Sequence, residues 1–129
     1  MSRPIELDAG VLAFFPLPQL ATELREREEY QRSGVSAVTL ARDGHATLVL
    51  AALRKGAAMR DHRAPSAASV VVLSGRVVFA ASREPARTEI GPGALAAFSP
   101  DVVHSLEALE DATFLITIGG RERPHPHGS

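Results

Sequence analysis

The chain carries five histidines and no cysteine, so a metal site or a nucleophile–base pair would have to be built from imidazoles, carboxylates and hydroxyls. Two histidines stand in contexts that invite chemistry. His62 lies in Arg60-Asp61-His62-Arg63, an imidazole among two guanidiniums. Turned inward, Arg60 or Arg63 offers a planar fork that suits a carboxylate or phosphate, whereas an arginine with no such task lies at the surface. His104 follows the turn Ser99-Pro100-Asp101 and begins the segment His104-Ser105-Leu106-Glu107-Ala108. If both rings reach one cavity, they can hold a polar organic ligand. Held to a metal, they fall short of the three protein ligands usual at a catalytic zinc site, and Asp61, Glu107 or His45 would have to supply the rest. The plainer alternative is a pair of pocket or core histidines satisfied by hydrogen bonds.

The other histidines offer less. His45 sits beside Gly44 at a hairpin tip, and His125 and His127 lie in the terminal Pro124-His125-Pro126-His127, which reads as a flexible tail. Phe79, Phe98 and Phe114 fall in strand-like runs and read first as core. Phe98 is also carried as a candidate ligand contact. There is no Ser-His-Asp or nucleophile-elbow pattern, phosphate loop or dinucleotide fingerprint.

The elements that must position these groups are organised around Val70-Val71-Val72-Leu73-Ser74-Gly75-Arg76-Val77-Val78-Phe79. It is two β-branched runs joined at Ser74-Gly75, apolar on both faces, and reads as a central hairpin covered on two sides. Before it, Leu17, Leu20, Ala21 and Leu24 keep helical spacing, and the charged run that follows can form the pairs Glu23–Arg27 and Glu28–Arg32. This predicts one helix from about Pro18 to Arg32, stopped at Gly34. Strands are expected over Val35–Ala41 and Ala46–Leu53, joined through Asp43-Gly44, with a turn at Arg54-Lys55-Gly56 and a polar connection over Ala57–Ala68. Short strands then follow at Arg87–Ile90, Ala94–Phe98, His104–Ala108 and Thr113–Ile118. Many short strands between Gly and Pro turns predict an all-β sandwich or barrel with one helix on its N-terminal side. The division expected is an arm and helix over 1–34, a barrel over 35–120 and a tail over 121–129.

The 129 residues suit a single domain, 45% hydrophobic and 22% charged. A net charge of −1 gives no field to attract nucleic acid or an anionic membrane, and one Tyr with no Trp gives no base-stacking platform. No apolar run approaches a membrane span, and Met1–Glu6 lacks a signal-peptide core, so a cytoplasmic protein is expected.

The spacing of both chemical segments resembles that of the cupins. Gly56, five residues, His62 and, after a further interval, Gly75 match the first cupin motif, with Ala64 where a second His would stand and Ala68 where a Glu would stand. Gly93, five residues, Ser99, then Asp101, His104 and Ala108 match the second, with only the Gly and the His kept. His62-Arg63-Ala64-Pro65, Val72-Leu73-Ser74-Gly75-Arg76 and His104–Asp111 are similar to a small bacterial cupin subgroup of unassigned function. The resemblance implies a double-stranded β-helix, or jelly-roll barrel. In metal-binding cupins the two His and the Glu of the first motif and the His of the second hold iron, manganese, nickel, copper or zinc, and here only His62 and His104 remain of that set. Three functions follow as expectations: a barrel that binds a small ligand, an anion where an arginine turns inward, at a degraded metal site through His62, His104, Arg60, Arg63 and Phe98; a metal-dependent enzyme of dioxygenase or isomerase type using His62 and His104; or a structural or partner-binding dimer. Strands apolar on both faces also imply a homodimer through strand edges or an outer sheet face.

Overall fold

The computed structural model describes residues 3–62, 66–81, 84–100 and 102–119; for residues 61, 62 and 84–86 it describes the backbone only. Among the described residues, ten strands and two short helices follow in the order β1 (Ile5–Glu6), α1 (Leu17–Arg25), α2 (Glu28–Ser33), β2 (Val35–Arg42), β3 (Ala46–Leu53), β4 (Ala58–His62), β5 (Ala68–Ser74), β6 (Val77–Ala81), β7 (Glu84–Ile90), β8 (Leu95–Phe98), β9 (His104–Ala108) and β10 (Ala112–Gly119). They form two facing sheets. The larger runs β1-β2-β3-β10-β5-β8 and the smaller β4-β9-β6-β7. Every pair is antiparallel except β1 with β2.

The inner faces bury one apolar core. Leu53, Val70, Val72 and Phe114 come from the larger sheet, and Val77, Leu106 and Ala108 from the smaller. The period-2 alternation of β5 places Val70 and Val72 inward and leaves Val71 half-buried on the outer face. A second cluster lies outside the larger sheet. Leu24 of α1 and Tyr30 of α2 bury there against Leu40, Leu50 and Ala52, with Phe15, Leu17 and Leu20 packed around them. The helical layer therefore covers β2 and β3, the part of the sheet where both faces are apolar.

Three expectations are corrected by this arrangement. The Val-rich stretch is not a hairpin. β5 pairs with β10 and β8, β6 with β9 and β7, and Ser74-Gly75-Arg76 carries the chain from one sheet to the other. Gly75 has φ 80°, and a Cβ added to it would stand 2.2 Å from the Asp111 carbonyl oxygen, so this corner needs glycine on two independent grounds. The single helix is two. After Leu24 the next apolar residue is Tyr30, about 240° further round a continuous helix and thus off the buried face. Extended backbone at Arg27 (φ −72°, ψ 150°) breaks the helix, so that both Leu24 and Tyr30 reach the sheet, and it interrupts the spacing that would pair Glu23 with Arg27. The stop at Gly34 holds, with φ 81° and its N–H on the Tyr30 carbonyl at 2.8 Å. Finally, the polar connection over Ala57–Ala68 contains a strand. β4 is held by its register on β9 and by Met59, which packs on the core, rather than by an apolar run. The tail over 121–129 and Arg63 lie outside the described residues.

Candidate functional site

The inner face of the barrel changes character along its length. On β6 the inward residues run from Val77, fully buried, to half-buried Phe79, and on β9 from Ala108 and Leu106, both buried, to half-buried His104. At this end three rings gather. Phe79 stacks near-parallel on His104, with centroids 5.4 Å apart and an interplanar angle of 18°. Phe98 reaches across from β8 on the opposite sheet, 4.3 Å from His104 and 5.5 Å from Phe79, tilted by 42° and 45°. Ring pairs at these separations are favoured in offset or tilted arrangements.

The sequence explains each position. Phe79 is two residues beyond Val77 and keeps its face. In the β6–β9 register Phe79 lies opposite Leu106 and Ala81 opposite His104, so Phe79 and His104 are diagonal neighbours on one face. Phe98 closes the short strand β8, opposite buried Ala68. The His104 ring is held by a 3.0 Å hydrogen bond between Nδ1 and the Val102 carbonyl. In the neutral ring, donation by Nδ1 makes Nε2 the acceptor nitrogen.

A cavity of about 330 Å³ opens beside these rings. Its walls are Phe79 and Ala81 of β6, Thr88 and Ile90 of β7, the four residues of β8 and Val102. β7 and β8 are the edge strands of the two sheets on this side, joined by Gly91-Pro92-Gly93 but not paired with each other. The cavity is the seam they leave open, an apolar entrance to the aromatic end of the barrel.

The two histidines predicted to meet are neighbours in register: His62 lies opposite His104 between β4 and β9. From Met59–Leu106 to His62–His104, β4 advances three residues and β9 two, so β4 carries a one-residue bulge beside His62. Arg60 is exposed, one residue beyond inward-packed Met59. Phe98 is in the cluster. Phe79 was not among the residues singled out for binding; its alternation with Val77 was the signal that could have found it.

The metal-ligand set implied by the resemblance does not fit these residues. Ala68 stands where the carboxylate would be, and its buried methyl offers no donor. Glu107 falls between inward Leu106 and Ala108, turns to the outer face and pairs with Arg87 at 3.4 Å. His45 is exposed at the tip of the β2–β3 hairpin. Among the described residues no group of three or more His, Asp or Glu side chains could hold an ion. Nor, among them, is any helix long and apolar enough to cross a membrane.

No protein-family model matches the sequence, and no curated protein matches it. Solved structures do. A cupin superfamily protein from Desulfitobacterium hafniense superposes with a TM-score of 0.69 at 16% identity, over 87% of this chain and 95% of that one. A protein of unknown function from Streptococcus pyogenes gives 0.67 at 19% identity, over 95% and 98%. An RmlC-like cupin from Shewanella frigidimarina gives 0.63 at 15%, over 70% and 80%. With two facing sheets, strand exchange at Gly75 and these likenesses in shape, the chain has the cupin fold, an all-β double-stranded β-helix with its helices outside the larger sheet.

Proposed function

We propose that this chain is a binding barrel for a small organic molecule with a flat apolar part, taken up through the seam between β7 and β8. The observation that carries the reading is a 330 Å³ cavity walled by Phe79 and Phe98, the two rings that pack on His104. Phe79, Phe98 and Ile90 provide apolar surface for a ring. His104 packs against both phenylalanine rings, its orientation set by the Val102 carbonyl, and is the polar group that a guest meets past them. In backbone register the His62 position stands opposite His104, beside the bulge on β4. Pockets of this composition, mostly apolar with few polar groups, are the usual form of small-molecule sites. With Arg60 exposed, an anionic group on the guest is not required by this reading. The metal-dependent enzyme reading loses support where Ala68 replaces a donor.

Thermal unfolding in the presence of a panel of small aromatic compounds, neutral and carboxylated, tests the proposal. A ligand at a hundred times its Kd stabilises by about 2.7 kcal/mol, enough to move the midpoint by several degrees. At least one compound is expected to raise the midpoint of the native chain and to leave Phe79→Leu and His104→Ala unmoved. If none does, the binding reading fails. A metal count on untagged protein completes the test. A stoichiometric ion, lost in a His62→Ala, His104→Ala double variant, would return the site to metal chemistry.

A further inference from the structure

Beneath the two helices, the outer face of the larger sheet carries polar groups that their apolar surroundings leave unanswered. Ser36 of β2, Ala52 of β3 and Thr113 of β10 stand in one row, each opposite the next in register. They are 2%, 0% and 3% exposed. Ala52 belongs to the cluster that also buries Tyr30 of α2. The Ser36 hydroxyl and the Tyr30 phenol oxygen are both buried, and neither has a hydrogen-bond partner among the described residues. A hydroxyl buried without a partner forfeits its hydration, and folded chains seldom leave one so.

The groups gathered around this row are donors. Arg25, the last residue of α1, is half-buried, and its Nη2 donates to Thr113 Oγ1. That leaves the Thr113 proton to be given elsewhere. The Arg25 carbonyl is already taken, accepting from Gln31 Nε2 at 2.8 Å. Arg54, two residues beyond Ala52, holds the Tyr30 and Gln31 carbonyls through Nη1, and its guanidinium lies 5.9 Å from the centre of the Tyr30 ring. Neither Arg25 nor Arg54 pairs with a carboxylate among the described residues. The layer thus brings together two guanidiniums and three hydroxyls with no side chain of opposite charge to meet them. A positive charge drawn out of water is ordinarily paired.

We infer that this row binds a small monovalent anion of chloride size, seated over Ala52 and accepting from Ser36, Tyr30 and Arg25. Neighbouring strands lie about 4.8 Å apart, so Ser36 and Thr113 stand about 10 Å apart across a single alanine. Leu50 holds the same face two residues earlier, and the short side chain at Ala52 leaves the span between the hydroxyls open. That span takes one small ion and is too narrow for an organic anion. A water molecule would answer the hydroxyls but not the charge of Arg25. The bound anion ties both helices to β2, β3 and β10. None of these residues lines the seam, so the inference stands apart from the ligand reading.

Crystals of the full chain soaked in sodium bromide test the site directly. An anomalous bromide peak is expected over Ala52, within hydrogen-bonding reach of Ser36 Oγ and the Tyr30 hydroxyl. Thermal unfolding at constant ionic strength, with sodium gluconate replaced stepwise by sodium chloride, tests it in solution. The native midpoint is expected to rise by a few degrees and to saturate, as binding at one site requires. Ser36→Ala and Tyr30→Phe each remove one donor, and each is expected to lose most of that rise while keeping the native circular dichroism spectrum. A native midpoint that does not respond to chloride overturns the inference. So does a rise of equal size in both variants, which would mark a salt effect on the whole surface. Bromide found only at the protein surface, with water over Ala52, would mark an adventitious ion only and overturn it as well.

Discussion

The two ends of the barrel are built from the same strands and do different work. At the closed end, Leu53, Val72, Val77, Ala112 and Phe114 are all buried, the chain crosses between sheets at Gly75, and the β9–β10 turn packs against that crossing. At the open end, two to four residues further along β6, β9 and β10, the inward positions hold Phe79, His104 and Ile116, each only half-buried. One strand set thus supplies a rigid apolar plug and, at its other end, rings with one side toward solvent. The teaching is about division of labour. Stability should be sensitive to substitutions at the closed end, and binding to substitutions at the open end.

The largest effect tests the closed end. Phe114 is almost completely buried in the middle of the core, and Phe114→Ala removes its contacts to both sheets. A loss of about 3–5 kcal/mol is expected from urea unfolding. A loss below about 1 kcal/mol would mean that the plug is not what holds the barrel. Gly75→Ala comes next. It forces an alanine into left-handed backbone and drives its Cβ into the Asp111 carbonyl, so a cost of at least about 2 kcal/mol is expected by the same measurement.

At the open end the comparison reverses. Phe79→Leu keeps an apolar side chain at a half-buried position and is expected to cost about 1 kcal/mol. It removes the ring stacked on His104, so the ligand-induced rise in melting temperature should disappear. If Phe79→Leu instead unfolds the chain while a bound compound's shift survives in Phe114→Ala, the division between the two ends is wrong.

How far these differences could be seen in advance depends on what local sequence encodes. β3 falls on Ala46–Leu53 as expected, because its apolar run is bounded by an Asp-Gly turn and a Gly56 turn. The Gly34 stop is a local property of one residue. The crossing at Gly75 was not legible as a crossing. A two-residue link between valine runs looks the same whether the strands pair with each other or join facing sheets, and the choice is made by β9 and β10, thirty residues on. β4 was hidden because Arg60, Asp61 and His62 give no alternation, and its place is set by its partner. For the site, the spacing from Gly56 to His62 and from Gly93 to His104 pointed to two histidines that do come opposite each other in register. The aromatic partner Phe79 was passed over because a phenylalanine on a strand looks like core until the length of the barrel interior is known.

The rim of the open end offers the finest test. Asp43, in the β2–β3 hairpin, accepts the backbone N–H of His45 at 2.6 Å and of Ala46 at 2.9 Å. The His45 hydrogen bond is the main cause that lowers its carboxyl from the ordinary value of 3.8, with desolvation acting against it and the Ala46 hydrogen bond adding to the lowering. A carboxyl held lower in the folded chain than in the unfolded one stabilises the fold above the unfolded value, and that contribution is lost as pH falls through the lower folded value. Asp43→Asn keeps an acceptor oxygen for the turn but cannot titrate. The native chain is therefore expected to lose slightly more stability than Asp43→Asn on acidification below about pH 4, and the two should melt alike near neutrality. Being fully exposed, the group gives the smallest effect of the set. Asp43→Ala, which removes the acceptor as well, should melt lower than both at neutral pH. If Asp43→Ala and Asp43→Asn melt together, the turn is fixed by Gly44 and the strand register alone, and the carboxylate is a passenger at the rim.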